Sequence, residues 1–144
     1  MEIKIYIAGK ITGDPNYKDK FANMEAEILK IPGTAVINPA ALPTGLEPAD
    51  YARICFAMID SSDIAVFAPD YKESSGALLE MQYCKYTGKK ALNFEEYIQS
   101  QTLRMSQLPL YAKIANEHID DLRADIVAAN RTNFKVFNDR RWTK

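Results

Sequence analysis

Between Ile3 and Phe94, short apolar runs alternate with stretches of helical period, and this alternation limits the fold more than any other feature. Ile3 to Ala8 alternates apolar with polar or aromatic side chains and stops at Gly9, as a short strand does. Tyr17, Phe21, Met24 and Ile28 then fall at helical steps, and Pro32-Gly33 closes that segment. Thr34 to Asn38 reads as a second strand. A loop carrying Pro39, Pro43, Gly45 and Pro48 follows. Tyr51, Ile54, Cys55, Met58 and Ile59 mark a second helix, which leads directly into the apolar strand Asp63 to Ala68. After the break at Pro69 to Glu73, Ser74 or Ser75 can cap a helix running to about Thr87. Gly88 suits its end, and Lys89 to Phe94 supplies a fourth strand.

Strands separated by single helices pair in parallel, because a right-handed crossover returns the chain to the same edge. The sequence therefore predicts an α/β fold, a doubly wound parallel sheet of four to five strands over residues 1–94. With strand order 2-1-3-4, the ligand crevice lies beyond the carboxyl ends of strands one and three. The loops meeting there are Gly9-Lys10-Ile11-Thr12-Gly13 and Pro69 to Gly76.

The C-terminal part, 95–144, carries a different signal. Tyr111, Ile114, Ala115, Ile119, Leu122, Ile126 and Ala129 form an apolar stripe over about 108–129, read as an amphipathic helix that pairs with its copy in a homodimer. Phe134 to Phe137 reads as an edge strand ahead of a basic tail with Arg140, Arg141 and Trp142. Residues 101–144 hold 8 basic and 5 acidic side chains, against 10 and 14 in residues 1–100. The whole chain nearly balances, at net −1, so no overall field recruits nucleic acid or an acidic membrane. No leader or membrane-spanning run is legible, and the chain reads as cytoplasmic. Cys55 and Cys84 lie in helical patterns, which indicates neither a disulfide framework nor a zinc site.

Ser75-Gly76-x-x-x-Glu80 is the most informative spacing. Gly76 allows close approach to a helix N-terminus, where free N–H groups favour an anion such as phosphate. Glu80 lies one turn further along the same face, beside Leu78, Leu79 and Met81. A carboxylate there suits nucleophilic or acid/base work on a sugar, although the spacing alone also fits a solvated helix residue. Gly9, Lys10, Thr12 and Gly13 can form a backbone cradle or simply a turn; the following Asp14 rules out a phosphate-binding loop of Walker type. Tyr6 can be core or can present its hydroxyl at the strand end. Asp70 and Ser74 lie beside the expected crevice, as does Glu73, while Asp63 is placed at the opposite edge. His118 is the only histidine, so no multi-histidine metal site is expected, and no cofactor is called for.

Ile5-Tyr6-Ile7-Ala8-Gly9, Asp63 to Phe67, Ser75-Gly76-Ala77-Leu78-Leu79-Glu80 and Gly88-Lys89-Lys90 resemble the nucleoside 2-deoxyribosyltransferase-like superfamily. Within it, residues 1 to about 94 look like the DUF4406 family of short bacterial and phage proteins. The resemblance implies a flavodoxin-like, Rossmann-like fold and chemistry at the N-glycosidic bond of a nucleoside or nucleotide. It also implies Glu80 as the nucleophile, Tyr6 orienting that carboxylate, and Ser75 and Gly76 at the sugar or its 5′-phosphate. One position departs from the deoxyribosyltransferase pattern: Cys55 stands where those enzymes carry an aspartate that handles the base proton. That substitution disfavours base exchange and leaves hydrolysis, or binding without turnover, as with a phage protein that sequesters an ADP-ribose-type signal.

Overall fold

The computed structural model describes the backbone of residues 2–139 and the side chains of residues 2–129. Four strands, β1 (Ile3–Ala8), β2 (Thr34–Ile37), β3 (Ile64–Phe67) and β4 (Lys90–Asn93), form one sheet in the order β2-β1-β3-β4. Every pairing is parallel, with Tyr6 opposite Ile37 on one side and Ala65 on the other. The crevice placed from the sequence presupposes this order. The order places β1 and β3 side by side at the centre, with their carboxyl ends adjacent.

Three crossover helices connect the strands: α1 (Tyr17–Leu29), α2 (Pro48–Asp60) and α3 (Ser75–Thr87). Alternation along β1 and β3 divides the core into two layers. Ile5, Ile7, Val66 and Ala68 pack with Phe21, Met24 and Ile28 of α1 on one face. Tyr6, Ala8, Ala65 and Phe67 pack with Cys55, Ile59 and Cys84 of α2 and α3 on the other. Stacking of Phe56 on Tyr83, with centroids 4.1 Å apart, joins α2 to α3.

The local signals explain most element ends. Ser74 caps α3 by accepting the Ala77 N–H at 3.3 Å, which settles the choice between Ser74 and Ser75. Gly88, at φ 75°, supplies the left-handed residue after that helix. Pro48 is not part of the preceding loop as expected. It opens α2 at a position where the missing N–H has no intrahelical partner to lose.

The largest difference from the sequence reading lies beyond β4. A single helix, α4, runs from Phe94 to Asp139 and includes Pro109. Residues 99–107 are rich in Gln, Ser and Thr and carry no apolar period, so this stretch does not read as helix. Its hydroxyls instead bond back to the preceding turn, Ser100 to the Tyr97 carbonyl at 2.7 Å and Thr102 to that of Ile98 at 2.9 Å. The edge strand expected at Phe134 to Phe137 is likewise helical. A strand needs a neighbour for its backbone groups, whereas a helix satisfies them within one segment. The chain divides into two compact units, 1–102 and 103–144. Tyr97 and Ile98 belong to the core of the first unit, which therefore includes the first turns of α4. No helix among the described residues is long and apolar enough to cross a membrane.

Candidate active site

At the carboxyl end of β1 the chain passes Gly9 under tight constraint. A Cβ on Gly9 would lie 2.9 Å from Ala68 Cβ and 3.3 Å from Asp70 Oδ1, so only glycine lets the ends of β1 and β3 approach this closely. Asp70 then ties the two loops together. Its Oδ1 accepts the Lys10 N–H at 3.2 Å, and its Oδ2 lies 2.5 Å from Lys20 Nζ. The same ammonium reaches the Lys10 carbonyl and Asp14 Oδ2, each at 2.6 Å. Lys20, which the sequence did not single out, is the hub of this edge. Lys10 itself pairs loosely with Glu73 at 3.5 Å. Thr12 and Gly13 are exposed on the loop that Lys20 holds, and Gly13 sits at φ 79°.

On the opposite face of the sheet lies the carboxylate that the sequence placed at the centre of the chemistry. Glu80, on α3, is partly buried against Tyr6 of β1 and Cys55 of α2. Burial raises its carboxyl to about 7, while the Tyr6 hydroxyl and the Cys55 thiol oppose that rise. Tyr6 is fully buried, so it contributes to the core and also presents a hydroxyl to the site. That hydroxyl has no hydrogen-bond partner at standard geometry, yet it interacts with both Glu80 and Cys55. The approach is therefore looser than a completed bond. Burial first, then the Glu80 and Cys55 charges, push Tyr6 well above its usual range, so it remains a proton donor.

The residue pattern places Cys55 on an apolar stripe and the family resemblance places it at the aspartate position, and the fold turns it toward Glu80. Burial drives its thiol up to about 11, so it is neutral at pH 7 and has no thiolate reactivity. Cys84 is also buried and also pushed up to about 11, by burial and then by the Glu80 charge.

One turn ahead of Glu80, Ser75 and Gly76 are exposed in the first turn of α3, where N–H groups have no preceding carbonyl. A Cβ on Gly76 would meet only Ser74 Oγ, at 3.8 Å, and its φ is not positive. Nothing in the backbone or the packing therefore demands glycine here. What glycine provides is open space over the helix N-terminus. Ser74 uses one lone pair as the cap acceptor, which leaves its hydroxyl proton and a second lone pair for a ligand.

Two clefts flank this region. One, of about 320 Å³, is lined by Phe67, Tyr71, Lys72, Asn93 and Glu96 among others. The other, of about 550 Å³, is lined by Asn16, Lys20, Met24, Pro69 and Phe94 among others. Both open at the carboxyl edge beyond β3, and neither includes Glu80, Ser75 or Gly76 in its lining. Asp63 lies at the other end of β3, where its carboxylate accepts the Lys4 N–H at 2.8 Å. No cluster of three or more metal-ligating side chains occurs among the described residues.

A parallel sheet in this order, with loops joined across β1 and β3 and a desolvated carboxylate behind a helix N-terminus, defines a doubly wound α/β protein with its candidate site at the strands' carboxyl ends. The chain belongs to the family described as domain of unknown function DUF4406, whose model matches residues 3–93. No curated protein and no solved structure matches the chain.

Proposed function

We propose that the protein acts on the N-glycosidic bond of a nucleoside, a nucleotide or a nucleotide-derived signal, with Glu80 as nucleophile. The observation that carries this reading is Glu80 itself, desolvated to about 7 beside Tyr6 and Cys55, one turn behind the open Gly76. In its ionised form Glu80 attacks the anomeric carbon. The carbon–nitrogen bond breaks, its electron pair leaves with the base, and the base nitrogen takes a proton from water. The glycosyl ester on Glu80 is then cleaved by water, or by an acceptor in a transfer.

Tyr6 donates its proton toward the carboxylate and fixes its direction, completing the bond that is loose in the free protein. The Ser75 and Gly76 N–H groups receive a 5′-phosphate or a sugar oxygen. Gly9, Lys10, Thr12, Gly13, Asp70 and Ser74 border the same edge. Among them Asp70 acts through the loops it holds, since its carboxylate is already engaged. The test is incubation with nucleoside 5′-monophosphates and NAD-like compounds, read as free base released. Release that is abolished by Glu80→Gln supports the reading, and absence of release from every compound sinks it.

Cys55 favours a second reading, a protein that binds the nucleotide without turning it over. A thiol pushed up to about 11 cannot supply a proton to a departing purine as an acid of ordinary pKa would. Recovery of an intact ligand after heating the complex distinguishes this case.

A further inference from the structure

Along α4, Ile119 is 45% exposed, Leu122 49% and Ile126 59%, and no described side chain covers them. These residues belong to a seam that repeats at alternating steps of three and four. Ala112, Ile119 and Ile126 occupy one heptad position, and Ala115, Leu122 and Ala129 occupy the other. That 3.5-residue period lets two helices wind around each other in a left-handed sense, each keeping the same seam toward its partner. We infer that residues 112–136 form a parallel, in-register, two-stranded coiled coil with a second copy of this chain. The inference does not depend on the chemistry proposed for Glu80.

Three features select an identical copy as the occupant. First, the seam holds no charged residue. The charged residues of this segment, such as Lys113, Glu117, Asp120 and Arg123, all lie off it, and Lys113–Glu117 and Arg123–Asp120 face each other within the helix. Second, residues 103–129 carry three basic and four acidic side chains, so two copies bring together nearly neutral surfaces. Third, the sequence continues the register with Asn133 at the isoleucine position and Val136 at the leucine position. An asparagine there pairs with itself only when the chains run parallel and in register, and isoleucine with leucine at the two positions favours two strands. An antiparallel pair that sets Ile119 against Leu122 would instead set Asn133 against Leu108, leaving an amide without a partner.

Light scattering and sedimentation of the full chain should give twice the 16.2 kDa mass. Ile119→Asp with Ile126→Asp should run as a monomer, while Ile114→Asp with Val127→Asp, off the seam, should stay dimeric. Both variants should keep the melting transition of the α/β unit. Orientation is read from Ala129→Cys under mild oxidant. A parallel pair links Cys to Cys, whereas an antiparallel pair holds the two sites about 25 Å apart at 1.5 Å per residue. Cys55 and Cys84 are buried, and the unmodified chain serves as control. A monomer at high micromolar concentration, a dimer that survives the seam variant, loss of the dimer in the off-seam variant, or absence of the Ala129→Cys link would each overturn the inference.

Discussion

Lys20 Nζ lies 2.5 Å from Asp70 Oδ2, across a separation of 50 residues, and this contact binds α1 to the loop after β3, while the same ammonium holds the Lys10 carbonyl of the loop after β1. Burial alone would lower the Lys20 ammonium, but its bonds to Asp14 and Asp70 prevail and hold it above its ordinary value. Both partners of the Lys20–Asp70 pair are about one quarter exposed, so water screens the pair without dissolving it. Lys20→Met leaves Asp70 and Asp14 facing each other without a cation. The expected cost is about 1–2 kcal/mol, seen as a lower urea midpoint at an unchanged slope. The proposed nucleotide binding should weaken further than stability, because the Gly9 to Gly13 loop loses its tether.

The reactivity of Glu80 should depend on pH with a defined sign. In the proposed reaction the nucleophile is the ionised form, and the carboxyl sits at about 7. Base release should therefore rise with pH through an apparent pKa near 7 and level off above it. A profile already flat from pH 5 upward would contradict a desolvated Glu80.

The same group couples pH to stability in the opposite direction. Its folded value of about 7 exceeds the ordinary glutamate value of 4.5, so the folded state holds the proton more tightly than the unfolded chain. The stabilisation is complete below about pH 4.5 and is lost as pH rises through 7. The shift corresponds to about 3 kcal/mol at most. Glu80→Gln should remove this component, so the melting temperatures of the variant and the unmodified protein should diverge between pH 5 and pH 8. Parallel curves would show that Glu80 is more solvated than its neighbours imply.

Two glycines should respond in opposite ways. Gly9→Ala forces a Cβ to 2.9 Å from Ala68 Cβ and should cost about 1–3 kcal/mol through overpacking. Gly76→Val enters open space and should change the melting temperature little, while its bulk closes the approach to the α3 N-terminus. Calorimetry with a nucleoside monophosphate checks this. Equal loss of affinity and stability in Gly76→Val would remove the helix N-terminus from the site.

The amino-acid sequence by itself determined the four strands, the three crossover helices, the Gly88 stop and the parallel pairing, because each rests on local periodicity, a cap or the handedness of crossovers, whereas the strand order came from the tertiary structure. It also brought Gly76 and Glu80 onto one helix face, since residues four apart on a helix are neighbours. Other features depend on segments far apart in the chain. Tyr6, Cys55 and Glu80 come from three elements, and only the packing of α2 and α3 on one side of β1 joins them. Lys20 meets Asp70 only because β1 and β3 are neighbours. The unbroken course of α4 past Pro109 was hidden for a related reason. Period and propensity report what a segment prefers in isolation, whereas a long helix tolerates one missing bond when its other backbone groups remain paired.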